Sequence, residues 1–225
     1  MKAADIIGRY LADGVNSLSE YDSKRIFADY GLAVAKEELA ATQSDALKSA
    51  LNIGLPVVMK GIGPEFAHKS ELGLVRVGVA SKEAVVRNFR ELDRTMDGRG
   101  RVLIQQVVSG ARELMIGAIR DEQFGPVVSF GLGGVFAEIL DDVSMRVAPM
   151  KLSDAEQMLE EIRASRILGS FRGLPCVNRS RLAQDLVAIG QLCLDHPEIS
   201  EIDINPLIVS SDRAIAVDGL IVLSI

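Results

Sequence analysis

The stretch Glu201-Ile202-Asp203-Ile204-Asn205-Pro206-Leu207 decides how this chain is interpreted. Successive side chains of a β-strand point to opposite faces, so the two carboxylates and the amide share one face and the two isoleucines share the other. Pro206 has no N–H to give to a sheet ladder, and we expect it to end the regular pairing just after Asn205. The stretch predicts a strand that buries its isoleucines and lines up three oxygen-bearing side chains.

A second apolar strand, interrupted by Asp218, is predicted over residues 214–223. If residues 210–213 form a tight hairpin turn, the numbers of paired residues add up to 423, and Asn205 faces Asp218 across the ladder. Amide and carboxylate oxygens on one sheet face suit a hard cation such as Mg²⁺ that also holds substrate phosphates. Asn205, Asp218 and Glu201 are therefore candidate metal ligands. A solvated polar strand face explains the same residues equally well.

Length and composition restrict the class of protein. The 225 residues suffice for one large domain or for two compact lobes that share a cleft. The formal net charge of −6 argues against nucleic-acid binding, because a phosphate backbone is recognised by a basic surface. No apolar run approaches a membrane span, and Asp5 and Arg9 interrupt the N-terminal apolar stretch, so no signal peptide is expected. We expect a cytoplasmic protein that binds neither membranes nor nucleic acid.

Mixed helix and strand signals without strict βαβ alternation predict an α+β (mixed α/β) protein in two lobes. The run Asp97-Gly98-Arg99-Gly100 is interpreted as the linker. It gives an N-terminal lobe with a leading helix over residues 1–100, and a C-terminal lobe with the metal-binding strands over residues 101–225. Helix starts are predicted at Ser19, Ser44, Ser81, Asn178 and a capping box formed by Ser153 and Glu156.

Two further features are candidates for phosphate binding. Lys60 closes the apolar strand 55–60, and a strand end holds a point charge rigidly against phosphate oxygens. A surface lysine is the alternative. The loop Gly131-Leu132-Gly133-Gly134 resembles a phosphate loop, because glycines let backbone N–H groups surround an anion. It has neither the Walker lysine nor the GxGxxG spacing, and a tight β connection is the alternative.

Charged residues after this loop, and one histidine, complete the candidate chemistry. The acidic residues at 138, 141 and 142 are candidates for shared metal binding, and Arg146 is a candidate for neutralising a transferring phosphoryl group. His68, beside Lys69, is a competent phosphoryl acceptor, although a lone loop histidine also fits an ordinary surface position. His196 is interpreted only as a surface residue.

Taken in order, these segments resemble the ATP-grasp domain of NDP-forming acyl-CoA synthetases, in particular the beta subunit of ADP-forming acetate–CoA ligase. The resemblance runs from about Ser19 to Val222. Its most specific pieces are Gly54–Lys60, His68–Glu71, Arg112–Gly117, Phe124–Val128, Gly131–Gly134, Arg172-Gly173 and Glu201–Leu207. The more distant succinyl-CoA synthetase beta subunit shares the Ile-Asn-Pro-Leu segment and an Asp-Gly pair, where the Asn and the Asp hold the metal.

The resemblance implies two α+β lobes that grip ATP or ADP with Mg²⁺ between them. It implies phosphate contacts from Lys60, adenine contacts from the strand Gln105–Val108 and an anchoring role for Glu113, with Asn205 and Asp218 on Mg²⁺. The residues that we take as nucleotide-binding are Lys60, Gln106, Val108, Glu113, Gly133 and Gly134.

The same resemblance implies a reaction and a partner. A histidine at the place of His68 carries a phosphoryl group between the nucleotide and a histidine on a CoA-binding alpha portion. The 225 residues have no room for that portion, so a separate CoA-binding alpha subunit is expected. The implied reaction is acyl-CoA + ADP + phosphate ⇌ carboxylate + CoA + ATP, and the sequence leaves the acyl group open.

Two departures from the family pattern keep an alternative open. The run Glu71-Leu72-Gly73-Leu74-Val75 stands where Asp-Val-Gly-Gly-Val is usual, which removes one glycine from a loop. Leu220 stands where a basic residue usually follows the metal-binding Asp-Gly pair. The alternative is a regulatory, non-catalytic nucleotide-binding module.

Overall fold

The computed structural model describes residues 2–63, 72–134, 142–170, 173, 176–210 and 213–224. The chain divides into a larger unit, formed by Met1–Val34 and Val108–Ile225, and a smaller unit, Ala35–Val107. Each unit combines helices with an antiparallel sheet. The predicted α+β class is confirmed. None of the described helices has the length and apolar character needed to cross a membrane.

The boundaries of the units differ from the division predicted near residue 100. The strand Arg101–Gln106 pairs along its whole length with the strand Val57–Ile62, which ties it to the smaller unit. The leading helix instead buries Ile26 and Phe27 in the core of the larger unit. Residues 97–100 are therefore a turn inside the smaller unit, between a helix and the strand that follows it.

The smaller unit is a four-stranded antiparallel sheet in the order β1-β4-β2-β3, with two helices. The helices pack on the sheet face that carries Val57, Met59 and Ile104. Ser81 caps the second helix as predicted, whereas Thr42, through a capping box with Asp45, starts the first helix just before the expected Ser44. The elements are β1 Glu37–Ala40, α3 Gln43–Ile53, β2 Val57–Ile62, β3 Val75–Val79, α4 Lys82–Thr95 and β4 Arg101–Gln106.

The larger unit contains a six-stranded antiparallel sheet in the order β10-β8-β5-β6-β7, with β9 paired to β8. Its helices are α1 Ala3–Ala12, α2 Glu20–Asp29, α5 Leu152–Glu161 and α6 Arg179–Asp195. Its strands are β5 Glu113–Asp121, β6 Gly125–Leu132, β7 Val143–Val147, β8 Ile199–Ser210, β9 Arg213–Ala216 and β10 Leu220–Leu223. One sheet face, which includes Ile116, Phe130 and Ile204, is fully buried in the core together with residues of the helices.

Helix caps in the larger unit follow the predictions at two positions and correct a third. Ser19 accepts a hydrogen bond from the Asp22 N–H, and Asn178 caps α6 in the same way. The expected capping box at Ser153 is wrong, because α5 already begins at Leu152 and the carboxylate of Asp154 accepts the N–H of the preceding N-cap residue. Helix α1 and strand β7 were not predicted.

A buried carboxylate on α6 makes the stability of the larger unit depend on pH. Asp185 is 4% exposed, and its Oδ1 lies 3.3 Å from Nε of Arg181. Burial raises the pKa of Asp185 to about 6, and the nearby Arg181 only partly opposes this change. Ionisation of Asp185 near neutral pH therefore costs more free energy in the folded chain than in the unfolded chain.

We expect Asp185→Asn to stabilise the protein at pH 7 and to have no such effect near pH 4. Because the pKa is higher in the folded chain than in the unfolded chain, the free energy of unfolding falls as pH rises from about 4 to about 6. Asparagine removes this loss, so the melting temperature at pH 7 should rise by a few degrees. Thermal unfolding across this pH range measures the effect. Asp93→Asn, on the exposed side of α4, is the control, and an equal effect of both variants would contradict the prediction.

Candidate functional site

The register of β8 agrees with the predicted hairpin. The numbers of paired residues add up to 423 both for Leu207 with Ala216 and for Asp203 with Leu220. Between these two paired segments, the Val217 N–H donates to the carbonyl of Pro206 at 3.3 Å. Asn205 and Asp218 therefore lie at corresponding positions of the two chains, where β9 has ended and β10 has not begun.

The alternation of buried and polar side chains along β8 is as predicted up to the proline and then shifts by one residue. Ile202 and Ile204 are buried, but the next buried side chain is that of Leu207. The register against β5 shifts at the same place. Pro206 thus interrupts the regular pairing just after Asn205, as predicted. The strand itself does not end there, because this irregularity absorbs the missing N–H and β8 continues to Ser210.

The glycine loop, the start of β5 and the irregularity in β8 meet at one point. The Gly133 N–H donates to the carbonyl of Glu113 at 2.9 Å, and the Gly134 N–H donates to Oδ1 of Asn205 at 3.0 Å. A Cβ on Gly133 would collide with the carbonyl of Leu114, and one on Gly134 would collide with the Glu113 carboxylate. The structure therefore brings together four residues predicted for the site, and the glycines are required by close approach.

Negative charge accumulates on the polar face of β8. Burial, and then the charges of Asp218 and Glu201, raise the pKa of Asp203 to about 6. Leu220, where the family pattern has a basic residue, is the direct cross-strand partner of Asp203. Asp203 was placed on this face by the sequence but was not chosen as a site residue. The same alternation that placed Asn205 on this face could have identified Asp203 as a site residue.

This arrangement fits a magnesium ion. Asn205 supplies an amide oxygen whose second lone pair remains after its bond to Gly134, and Asp218 supplies a carboxylate. A cation would also relieve the repulsion that Asp203 experiences. Among the described residues there is no group of three or more His, Cys, Asp and Glu that would hold a metal. Mg²⁺ commonly uses one or two protein carboxylates and completes its shell with water and substrate phosphates.

Glu201 does not share this location. It is exposed and pairs with Ile119 on one side and Val222 on the other. Four residues of extended strand separate it from Asn205, which is about 13 Å and too far for the two side chains to bind one ion. Distance along the strand therefore removes Glu201 from the candidate ligands, although the face was predicted correctly.

Arg146 also lies apart from the other site residues. It pairs with Val128, whose side chain is in the core, so Arg146 projects from the face of the sheet opposite to the polar face of β8. Its guanidinium binds the carboxylate of Glu161 on α5 at 2.5 Å, and this bond raises the pKa of Arg146. Asp142 is likewise used structurally, since its carboxylate accepts the N–H groups of Arg163 and Ala164.

The smaller unit carries two of the predicted nucleotide contacts. Lys60 lies in β2, is 6% exposed, and pairs with Leu103 of β4. By alternation, Gln105 shares the sheet face of Lys60, and its side chain donates to Glu37 at 3.1 Å. Gln106 projects from the other face and is exposed at the end of the strand. The sequence missed Gln105 as an individual candidate, although the strand was correct.

Val108, another predicted contact, is the first residue of the larger unit's second segment and is partly buried. Several predicted residues fall outside the described part of the chain. They are His68, Glu71, Glu138, Asp141 and Arg172.

Comparisons with known proteins give the family. Residues 9–223 match the family model of an ATP-grasp domain. The chain is 42% identical over 229 residues to the acetate–CoA ligase (ADP-forming) I subunit beta of Pyrococcus furiosus, and the match covers 99% of this chain and 98% of that protein.

Solved structures agree with this match. Dinucleotide forming acetyl-coenzyme A synthetase 1 of Ca. Korarchaeum cryptofilum, in complex with coenzyme A, Ca-AMPCP and HgCl⁺, is 36% identical with a TM-score of 0.94, over 99% of this chain and 100% of that chain. A second structure of the same synthetase, with coenzyme A and Mg-AMPPCP, has its phosphohistidine segment pointing towards the nucleotide binding site. It is 36% identical to this chain with a TM-score of 0.88, and the match covers 99% of this chain and 100% of that chain. The predicted ATP-grasp fold is confirmed, and the chain belongs to the ATP-grasp family that includes the beta subunits of ADP-forming acetate–CoA ligases.

Proposed function

We propose that this chain is the nucleotide-binding beta subunit of an ADP-forming acyl-CoA synthetase of the acetate–CoA ligase type. The supporting observation is the convergence of Glu113, Gly133, Gly134 and Asn205, on a chain 42% identical along its length to such a subunit. The proposed reaction is acyl-CoA + ADP + phosphate ⇌ carboxylate + CoA + ATP. Whole-length similarity to ligase subunits favours catalysis over the regulatory alternative.

In this proposal Lys60, Gln106, Val108 and Glu113 hold the nucleotide. Lys60 is the cation for the phosphates. It lies inside the buried strand β2, which continues two residues past the predicted end and limits the freedom of the lysine. Gln106 and Val108, with the strand that precedes them, contact the adenine. Glu113 anchors the nucleotide next to Gly134, whose missing side chain leaves room for the carboxylate.

Asn205 and Asp218 are the proposed ligands of Mg²⁺. When bound, the ion would neutralise phosphate charge. The protein's own contribution is to hold both oxygens at corresponding positions, one on β8 and the other on the segment between β9 and β10. The Gly134 N–H fixes which way the Asn205 amide points, because only its oxygen can accept that hydrogen bond.

His68 is the proposed phosphoryl carrier. A ring nitrogen of neutral His68 attacks the γ-phosphorus of ATP, the bond from that phosphorus to the bridging oxygen of ADP breaks, and ADP leaves. The phosphoryl group then passes to the CoA-binding alpha subunit, where it forms the acyl phosphate that CoA attacks. The partner subunit and the cytoplasmic location expected from the sequence remain parts of this proposal.

Nucleotide binding should depend on Asp218. We expect Mg-ADP or Mg-ATP at about 100 times its dissociation constant to raise the melting temperature by several degrees, since a ligand that binds only the folded chain stabilises it by about 2.7 kcal/mol. Asp218→Ala should abolish most of this shift, and Asp13→Ala, an exposed residue of the larger unit, should retain it. Differential scanning calorimetry measures the shift. A full shift in Asp218→Ala would exclude it as a ligand.

Gly134→Ala should weaken nucleotide binding through Glu113. The backbone of Gly134 has φ +65°, and an added Cβ would displace the Glu113 carboxylate. Gly125→Ala is the matched control, because Gly125 has φ +76° and open space around its missing Cβ. Both variants should lose about 1 kcal/mol of stability from the left-handed backbone. Calorimetric titration with Mg-ADP should show weaker binding only for Gly134→Ala, and equal affinities would contradict the assignment.

Phosphorylation should occur at one of only two histidines in the chain. With γ-labelled ATP and Mg²⁺, we expect acid-labile, base-stable label on the wild type and on His196→Asn, but none on His68→Asn. His196 stacks edge-on with Tyr30 at 6.2 Å, which gives it a structural use. Adding the CoA-binding subunit should discharge the label. A His68→Asn protein that binds nucleotide and turns over normally with its partner would disprove the carrier role.

A further inference from the structure

Helix α2 contains a buried ion pair. The side chains of Lys24 and Glu20 are 0% and 1% exposed, and Nζ lies 2.6 Å from Oε1. Two charges removed from water in this way usually stabilise a fold no more than apolar residues of the same size would. The pair therefore calls for a reason other than stability.

The lysine reaches the segment that carries Asp218. Besides Glu20, Nζ of Lys24 donates to the carbonyl oxygen of Val217 at 3.4 Å. Val217 directly precedes Asp218 in the chain, and its own N–H donates to Pro206 in β8. One side of Asp218 is thus attached to both α2 and β8.

The other side of Asp218 also rests on α2. A Cβ on Gly219 would lie 2.5 Å from Cε2 of Phe27, so the bare Cα of this glycine packs directly against the ring. Phe27 is fully buried, which leaves the ring little room to move. The Gly219 N–H in turn donates to Oδ1 of Asp218 at 2.8 Å, which links the packed glycine to the carboxylate itself.

Helix α2 supports Asp218 at a point where the chain is not part of a strand. Residues 217–219 lie between the end of β9 at Ala216 and the start of β10 at Leu220. Asp218 is therefore positioned by its flanking residues rather than by a strand of its own. Helix α2 contacts both of them, one through a hydrogen bond from a buried cation and the other through an aromatic ring.

We propose that α2 sets the magnesium affinity of the nucleotide site, with Lys24 and Phe27 as positioning residues for Asp218. This inference rests on the proposed function, because it takes Asp218 as a metal ligand. The physical reason is that the groups around a ligand fix its orientation, so their removal weakens metal binding without removing any ligand.

The test separates this role from a merely structural one. Glu20→Gln/Lys24→Met removes both charges, so neither is left buried alone, and it takes away the cationic donor to Val217. Phe27→Leu removes the ring from Gly219, and Ile26→Val, at the neighbouring fully buried position of α2, is the control for lost packing. For each folded variant, the dissociation constant of ADP is measured by calorimetry in excess EDTA and in saturating Mg²⁺. Mn²⁺ binding to the ADP complex is followed by electron paramagnetic resonance.

We expect ADP affinity in EDTA to be unchanged in all variants. The gain in affinity from Mg²⁺, and the Mn²⁺ affinity, should fall about tenfold or more in Glu20→Gln/Lys24→Met and in Phe27→Leu, but not in Ile26→Val. Wild-type metal dependence in either α2 variant that folds would overturn the positioning role while leaving the proposed function intact. A wild type with no metal dependence, matched by Asp218→Ala, would overturn the proposed metal site and this inference with it.

Discussion

The alternation of β8 is the constraint on which the larger unit depends. Ile202 and Ile204 must enter the core, and a strand that buries them necessarily places Asp203 on the opposite face. A slip of one residue would bury carboxylates and expose isoleucines, so the register is strongly specified. Antiparallel pairing with β5 on one side, and with β9 and β10 on the other, then fixes where each polar group lies.

The irregularity at Asn205 and Pro206 is what turns a regular sheet into a site. It shifts the alternation of buried and polar side chains by one residue, so that Leu207 is the next side chain in the core. It also leaves the Asn205 amide facing the glycine loop. That loop follows β6, which pairs with β5 through eight consecutive residues. The loop therefore lies next to Glu113 at the start of β5. Glu113 and Asn205 belong to the long strands β5 and β8, and strands position side chains more accurately than loops do.

The distribution of charged side chains in the larger unit favours binding of a cation beside Asn205 and Asp218. Burial, and then the negative charges of Asp218 and Glu201, raise the pKa of Asp203 to about 6. Two cations of the larger unit are already engaged with carboxylates, Lys24 with Glu20 and Arg146 with Glu161. The basic side chain that would face Asp203 in the family pattern is replaced by Leu220. A bound Mg²⁺ would supply the missing positive charge, which ties ion binding to the electrostatics of the sheet.

The sequence by itself determined the features that depend on neighbouring residues. Strand period, hairpin register and the helix caps at Ser19, Ser81 and Asn178 all follow from local chemistry, and each agrees with the structure. The family was also readable, because its motifs are short and lie in order along the chain. The glycine loop was recognised for the same reason, although its partner Glu113 was supplied by resemblance.

Only the tertiary structure decided the features that depend on distant pairing. The strand after residue 100 belongs with β2, which moved the boundary between the units. Pairing with Val128 turned Arg146 to the opposite face, and distance along β8 separated Glu201 from Asn205. The contacts of α2 with Val217 and Gly219 join residues nearly 200 positions apart. No local pattern encodes such contacts, because they exist only once the sheet has brought the two ends of the chain together.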